Sequence, residues 1–450
     1  MTATMEASAP VLATTRRERV GWYFYDWANS TFSTTVVTVF LGPYLTSVAD
    51  RAADAHGEVH PLGIPVAAGS FFPYVVSLSV FLTVFVLPVA GAIADRSAHK
   101  RELLAGWAYL GSLSTVLLMF CTGERYLLGG ALFVVANISF GASVVVYYSF
   151  LPQISDPDRR DAVSSIGWAF GYLGGGLLLL VNVVAVLAGD SLGWSAAGVA
   201  RWSIVSAGLW WAGFTTIPLL TLRNRPPPAG VARGNPVRAG FTQLWHTLRG
   251  LRAYPLTLFF LLAYLIYNDG IQTVISLASV YGTEELGLGQ SVLVPTILMV
   301  QFLAFGGALL LGALARRIGA RKTILLSLVL WTGVLVVAFL LPAGQALPFV
   351  LLGGAIGLVL GGSQALSRSL FSQLIPVGKE AEYFGLYEIS DRGTSWLGPL
   401  LFGLAFQLTG SYRIAIISLL VFFIVGFAAL TAVPIRDAVL RAGNVPPRLL

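Results

Sequence analysis

The sequence predicts an all-α polytopic membrane protein with twelve transmembrane helices in two repeated six-helix bundles. Three observations carry that prediction. Of 450 residues, 56% are hydrophobic and only 11% charged, where a soluble domain carries about 25% charged residues. The apolar stretches are continuous and mostly longer than the ~18 residues that mark a membrane helix, not the alternating segments of a membrane β-barrel. Landmarks of the first half also recur, in the same order, in the second.

The first six spans are expected near 21–48, 71–94, 103–121, 126–150, 166–188 and 202–222. The next six are expected near 255–281, 291–314, 323–341, 347–367, 383–407 and 412–434. This divides the chain into a leading segment (1–20), a first bundle (21–222), a linker (223–254), a second bundle (255–434) and a tail (435–450). The first apolar run is too long for a removable signal and is interrupted by Asp26. Arg16, Arg17 and Arg19 before it read as a positive flank.

Span 1 contains an acid, Asp26, and an amide, Asn29. An Asp at the centre of a membrane helix costs roughly 2.5–3.5 kcal/mol on insertion scales, so a plain anchor would not keep one. Trp22, Asp26, Asn29 and Ser33 share one helical face. That polar stripe is expected to line a path through protein rather than to face lipid.

Basic residues set the orientation. With both termini inside, the outer side keeps Arg51, Arg125, Arg201 and Arg413, so 28 less 4 leaves 24 of the basic residues inside. Such asymmetry places both termini in the cytoplasm of a cell-membrane protein. The net charge of +7 then belongs to the inner membrane face and does not point to a nucleic-acid partner. The linker opens as a Pro/Gly/Arg stretch. It continues with Phe241, Leu244, Trp245, Leu248 and Leu251 at helical spacing, as in an amphipathic helix on the inner leaflet.

The halves repeat. GAIADRSAHKR at 91–101 aligns with GALARRIGARK at 312–322, offset by 221 residues. SFLPQI at 149–154 aligns with SLFSQL at 369–374, offset by 220. Parallel duplication is the architecture of transporters that rock around a central site.

The loop after span 2 resembles the signature loop of the major facilitator superfamily. Gly91 permits close helix approach, and Asp95, Arg96, Lys100 and Arg101 can form a charge network against the facing half. The resemblance implies that Asp95 caps the inner end of helix 11 and holds the inner side closed. Ala98 replaces the usual glycine, and Arg316 stands at the Asp position of the second copy. YDWANSTF at 25–32, AYLIYNDGIQTV at 263–274 and the stretch 367–403 resemble the vacuole-effluxer-like family within that superfamily. The resemblance implies a solute exporter. Its amino-acid cargo is extrapolated from the yeast namesake, a vacuolar amino-acid effluxer.

Span 7 mirrors span 1. Asn268 and Gln272 lie on one edge, and Asp269, Thr273 and Ser276 on another. Asp26 and Asp269 are expected to approach one central site and to bind a proton, a cation or an ammonium group. Structural helix packing is the rival reading. In span 11, Glu388 and Arg392 are four apart, which suits an intrahelical ion pair. With Asp391 they are expected to serve structure and gating, the gate reaching Asp95 or the inner loops. The glycines of GWAFGYLGGG in span 5 suit close helix packing.

No phosphate-binding loop, metalloprotease motif or nucleophile elbow is present, so the chain is expected not to be an enzyme. Four His and one Cys offer no metal-ligand spacing, and no cofactor is expected. The expected function is export of a small polar solute, with a proton gradient as the favoured energy source and a monomer as the expected state. A multidrug or metabolite exporter and a non-transporting membrane scaffold or sensor are the alternatives.

Overall fold

The computed structural model describes residues 15–226, 254–392 and 397–449. Among them, eleven helices are long and apolar enough to cross a membrane. In the first half these are α1 (Arg16–Ala52), α2 (Ala68–Arg96), α3 (Lys100–Phe120), α4 (Tyr126–Ile154), α5 (Pro157–Gly189) and α6 (Ala196–Thr221). In the second half they begin with α7 (Pro255–Val280), α8 (Gln290–Ile318), α9 (Ala320–Leu340) and α10 (Ala346–Gln373). The expected span 11 is described as α11 (Glu380–Arg392) and α12 (Leu397–Thr409), on either side of residues 393–396, which lie outside the described residues. The last membrane helix, α13 (Tyr412–Ala432), is followed by the short α14 (Ile435–Arg441). The linker's expected amphipathic helix lies outside the described residues.

α1 is longer than expected. A capping box, in which Thr15 and Glu18 satisfy each other's backbone N–H groups, starts it well before the apolar stretch. Its 37 residues would extend about 55 Å, past a hydrocarbon core of about 30 Å. Its middle is π-helical from Phe32 to Phe40. That segment, FSTTVVTVF, is rich in β-branched residues, which crowd the preceding helical turn. The Thr38 hydroxyl reaches back five residues to the Ser33 carbonyl (2.8 Å).

Large apolar side chains such as Phe81, Phe85, Leu187, Leu220, Leu310 and Leu340 point outward. The polar groups Asp26, Asn29, Asn268 and Asp269 are buried. A soluble fold arranges these classes the other way round. The glycines of α5 pack against α1: a Cβ on Gly174 would lie 2.6 Å from the Trp27 carbonyl oxygen.

The ends of the molecule differ. One end gathers the α2–α3 turn, the α4–α5 and α8–α9 turns, the α10–α11 turn and the tail. Glu18 pairs with Arg225 there at 3.2 Å. At the other end, a two-stranded antiparallel hairpin pairs Glu58–Val59 with Val66–Ala67. It brings ligand-type atoms of Asp54, Glu58 and His60 within 4.8 Å of one another, a grouping not foreseen from the sequence.

Candidate functional site

The halves meet at the basic end, and a buried ion pair sits in the seam. Arg368 projects from α10, five residues before its last residue. It has no exposed surface. Its Nη1 donates to Asp26 Oδ2 at 3.1 Å, and its Nε and Nη2 donate to the hydroxyl (2.9 Å) and carbonyl (2.8 Å) of Ser164 on α5. Tyr147 of α4 donates its hydroxyl to the same Asp26 oxygen at 2.7 Å.

Four rings surround the guanidinium. Its Cζ lies 4.8 Å from the centroids of Trp22 and Tyr148, 5.3 Å from Trp168 and 5.8 Å from Tyr147. Trp22 stacks on Tyr147 with centroids 4.5 Å apart and donates its indole N–H to the Tyr147 carbonyl (3.0 Å). Desolvated cation–π contacts contribute up to about 2 kcal/mol. These hydrogen-bond, ion-pair and ring partners belong to the first half, so the second half inserts one cation into a receptacle built by the first.

The α2–α3 turn makes a second contact across the seam. Asp95 accepts from the backbone N–H groups of Ala381 (3.0 Å) and Glu382 (2.9 Å), in the first turn of α11. Those donors have no partner within their own helix, and the helix dipole favours a carboxylate there. Lys100 Nζ donates to Asp95 at 2.9 Å. Gly91 lies one turn earlier, and a Cβ on it would stand 2.3 Å from the Ala381 carbonyl oxygen. Burial first, and the Asp95 carboxylate second, push the Glu380 carboxyl above the usual carboxylate range.

A third contact uses the opposite charge. Arg160, at the start of α5, donates from Nη1 to the Ser372 carbonyl (3.1 Å) and to Gln373 Oε1 (3.2 Å). Beside it, the Ser369 hydroxyl donates to Asp161 at 2.5 Å.

Several expectations need correction. Asp26 pairs with Arg368 and Tyr147, a cation and a donor, rather than with the polar edge of α7. The α7 polar edge turns instead to α11 of its own half. Asn268 and Tyr264 both donate to Asp391, at 2.7 and 2.8 Å. Asp391 thus makes a contact internal to the second half. Asp269, 2% exposed, lies where α12 approaches closely at Gly398. Neither of its carboxylate oxygens has a hydrogen-bond partner among the described residues. Asp26 and Asp269 thus occupy separate settings.

Arg101 pairs with its neighbour Glu102 at 2.7 Å and bonds through its backbone N–H to Asn224, so it stays within the first half. Arg96 ends α2, half-buried. Glu388 is buried on α11, and the side chain of Arg392 lies outside the description. Asn29 is buried, with its Nδ2 unpartnered among the described residues. Ser33 and Gln272 keep partial exposure.

The sequence reading missed Arg368 and Arg160 as site residues, having counted them only as inner-face charges. A lone Arg in an apolar helix was itself the available signal.

Comparisons with known proteins agree with this architecture. The family described as "Vacuole effluxer Atg22 like" matches residues 14–442. The uncharacterized MFS-type transporter YxiO of Bacillus subtilis is 30% identical over 428 residues, spanning 93% of this chain and 95% of that protein. Autophagy-related protein 22-1 of Neosartorya fischeri is 25% identical, spanning 96% of this chain and 93% of that protein. Among solved structures, the human organic anion transporter MFSD10 aligns with a TM-score of 0.66 at 16% identity, covering 94% of this chain and all of that one. The fucose transporter FucP in its outward conformation aligns at 0.67 and 13%, covering 92% and 97%. At these identities the structural likeness speaks for the fold.

Proposed function

Because the chain belongs to the Atg22-like vacuole effluxer family, a group of major facilitator superfamily transporters, we propose that it is a secondary active exporter. Its cargo is a small polar solute, an amino acid, and its two bundles, 21–222 and 255–434, rock about the seam. The observation that carries this reading is the Arg368–Asp26 pair. A buried ion pair whose members belong to opposite halves must separate if the basic end is to open. Together with the Asp95 cap and the Arg160 contact, it defines a state closed at that end.

The concentration of basic residues supports a cytoplasmic position for this end and for both termini. On that basis the closed state faces outward, and the protein resides in the cell membrane as a monomer. Ser33 and Thr38 on α1, with Gln272 and Ser276 on α7, retain exposed surface and are suited to hydrogen-bond a polar solute. Asp269, buried without a charged partner among the described residues, is the proton-binding group of choice. Asp26, held by Arg368, gates.

Counterflow in liposomes tests the proposal. Labelled amino acids should accumulate above leak, and dissipating the pH gradient should reduce net export. Asp269→Asn should remove that pH dependence. Flux of bulky aromatic cations but of no amino acid would replace the cargo with drugs. No flux of any ligand that raises the protein's melting temperature would leave a scaffold.

A further inference from the structure

Away from the seam, on the basic end, a groove of about 560 Å³ opens between the start of α9, the start of α14 and the tail. Arg321, Lys322, Arg436 and Arg448 line it, together with Ile435, Pro446, Pro447 and Leu449. Four cations and no acid face one space. Arg448 is already engaged by Asp158, through a 2.7 Å bond from its backbone N–H and a 3.5 Å ion pair. Among the described residues the other three cations have no such ion pair. Arg321 donates from Nη2 to the Thr431 carbonyl, while its Nε is buried with no partner among the described residues. Lys322 and Arg436 are exposed. Positive charge gathered in a partly enclosed space attracts an anion.

The position of the groove identifies the anion. α9 begins at Ala320 and runs from there into the apolar zone. Lys322, Leu326, Val329 and Leu330 share one helical face, and those three apolar side chains are 41%, 53% and 43% exposed. A strip of greasy surface therefore leads directly from the cationic groove along the membrane-facing side of the helix. Soluble phosphate would use the cations and leave the strip idle. A phospholipid uses both, with its phosphate at Arg321, Lys322 and Arg436 and its acyl chains along Leu326 and Leu330. We infer that this groove is a binding site for an anionic phospholipid headgroup. Basic pockets where membrane helices meet the cytoplasmic face are suited to that ligand.

The test uses the full-length purified protein in neutral detergent. Its melting temperature and native mass spectrum are recorded with phosphatidylglycerol, cardiolipin, phosphatidylcholine or inorganic phosphate. The expected result is stabilisation and a retained adduct with the two anionic lipids, and neither with phosphatidylcholine. The double variant Lys322→Gln/Arg436→Gln changes two exposed side chains, so it should fold. Its affinity for the anionic lipids should fall by on the order of thirtyfold, from the typical strength of a cation beside an anionic membrane surface. An equal response to inorganic phosphate would overturn the lipid assignment. Equal stabilisation of the parent and the double variant would show a non-specific lipid annulus and overturn the site.

Discussion

Replacing Asp26 with Asn should open the basic end. The substitution keeps the size of the side chain and an oxygen for Tyr147, but it leaves the Arg368 guanidinium buried among neutral groups. Its acceptors are then one neutral amide oxygen, shared with Tyr147, and the hydroxyl and carbonyl of Ser164, supplemented by the four rings. Breaking a buried pair by removing one partner costs about 3–5 kcal/mol, because the orphaned charge stays desolvated. Opening lets water reach Arg368, so the cost falls on the closed state alone. A closed-to-open ratio of 99:1 corresponds to about 2.7 kcal/mol, so a loss of this size inverts the population. Spin labels at Arg159→Cys and Val377→Cys, both exposed at this end in opposite halves, report the separation in a Cys121→Ser background. Asp26→Asn should move most of the distance distribution to longer values. Asp26→Asn/Arg368→Gln, which removes both charges, should recover much of the short-distance population. A parent-like distribution in Asp26→Asn, or a double variant as open as the sum of the two singles, would refute the argument. Melting temperatures of all variants separate opening from unfolding.

Three further predictions concern the same seam. Gly91→Ala places a methyl group 2.3 Å from the Ala381 carbonyl oxygen, so the same label pair should widen and solute flux should fall at least tenfold. Arg160 reaches α10 through one nitrogen, so Arg160→Lys should keep part of the contact. Arg160→Gln should lose more, about 1.5–3 kcal/mol for each charge-assisted bond removed, read as a larger open population. The Glu380 carboxyl is raised in the closed state by burial and by Asp95. Closing therefore favours its protonated form, and the closed population should fall as pH rises from the ordinary carboxylate range through the raised value. Glu380→Gln should flatten that dependence; an unchanged pH profile in the variant would assign it to another group.

Much of the fold was legible because membrane helices obey few rules. A long apolar run must be helical, and basic residues cluster on one face. The Asp95 contact was expected only through the resemblance of its loop to the superfamily signature; in the structure Gly91 and Asp95, one helical turn apart, both meet the start of α11. The partner of Asp26 was not legible. It lies 342 residues away, and although a lone Arg in an apolar helix marks itself for attention, nothing local says which acid it meets. Reading span 7 as the mirror of span 1 suggested that their acids would meet. In the structure Asp26 pairs with Arg368 and Tyr147 while Asp269 lies against Gly398, so repeat symmetry of the backbone does not extend to side-chain pairing. The π-helical middle of α1 escaped because hydrophobic periodicity says nothing about whether a hydroxyl will bond to the carbonyl four or five residues back.

The first half holds the second by opposite charges at opposite helix ends. α10 ends and α11 begins around a short turn, so acceptors without helical partners lie on one side of that turn and donors on the other. Arg160 meets the Ser372 carbonyl near the end of α10, and Asp95 meets the first N–H groups of α11. The second half satisfies the acceptors that remain from within: Asn444 donates to the carbonyls of Gln373 and Ile375, and Thr257 to that of Leu374. An acid at the helix start and a cation at the helix end are each favoured by the macrodipole, so the two contacts reinforce rather than compete. Swapped charges would oppose both dipoles at once. The second copy of the loop carries Arg316 where the first carries Asp95, so it cannot supply the same acid cap. On its side of the seam, α8 instead approaches α5 closely, with Gly312 facing Ser165. Charge contacts at the α10–α11 turn are thus supplemented by close packing of α8 against α5.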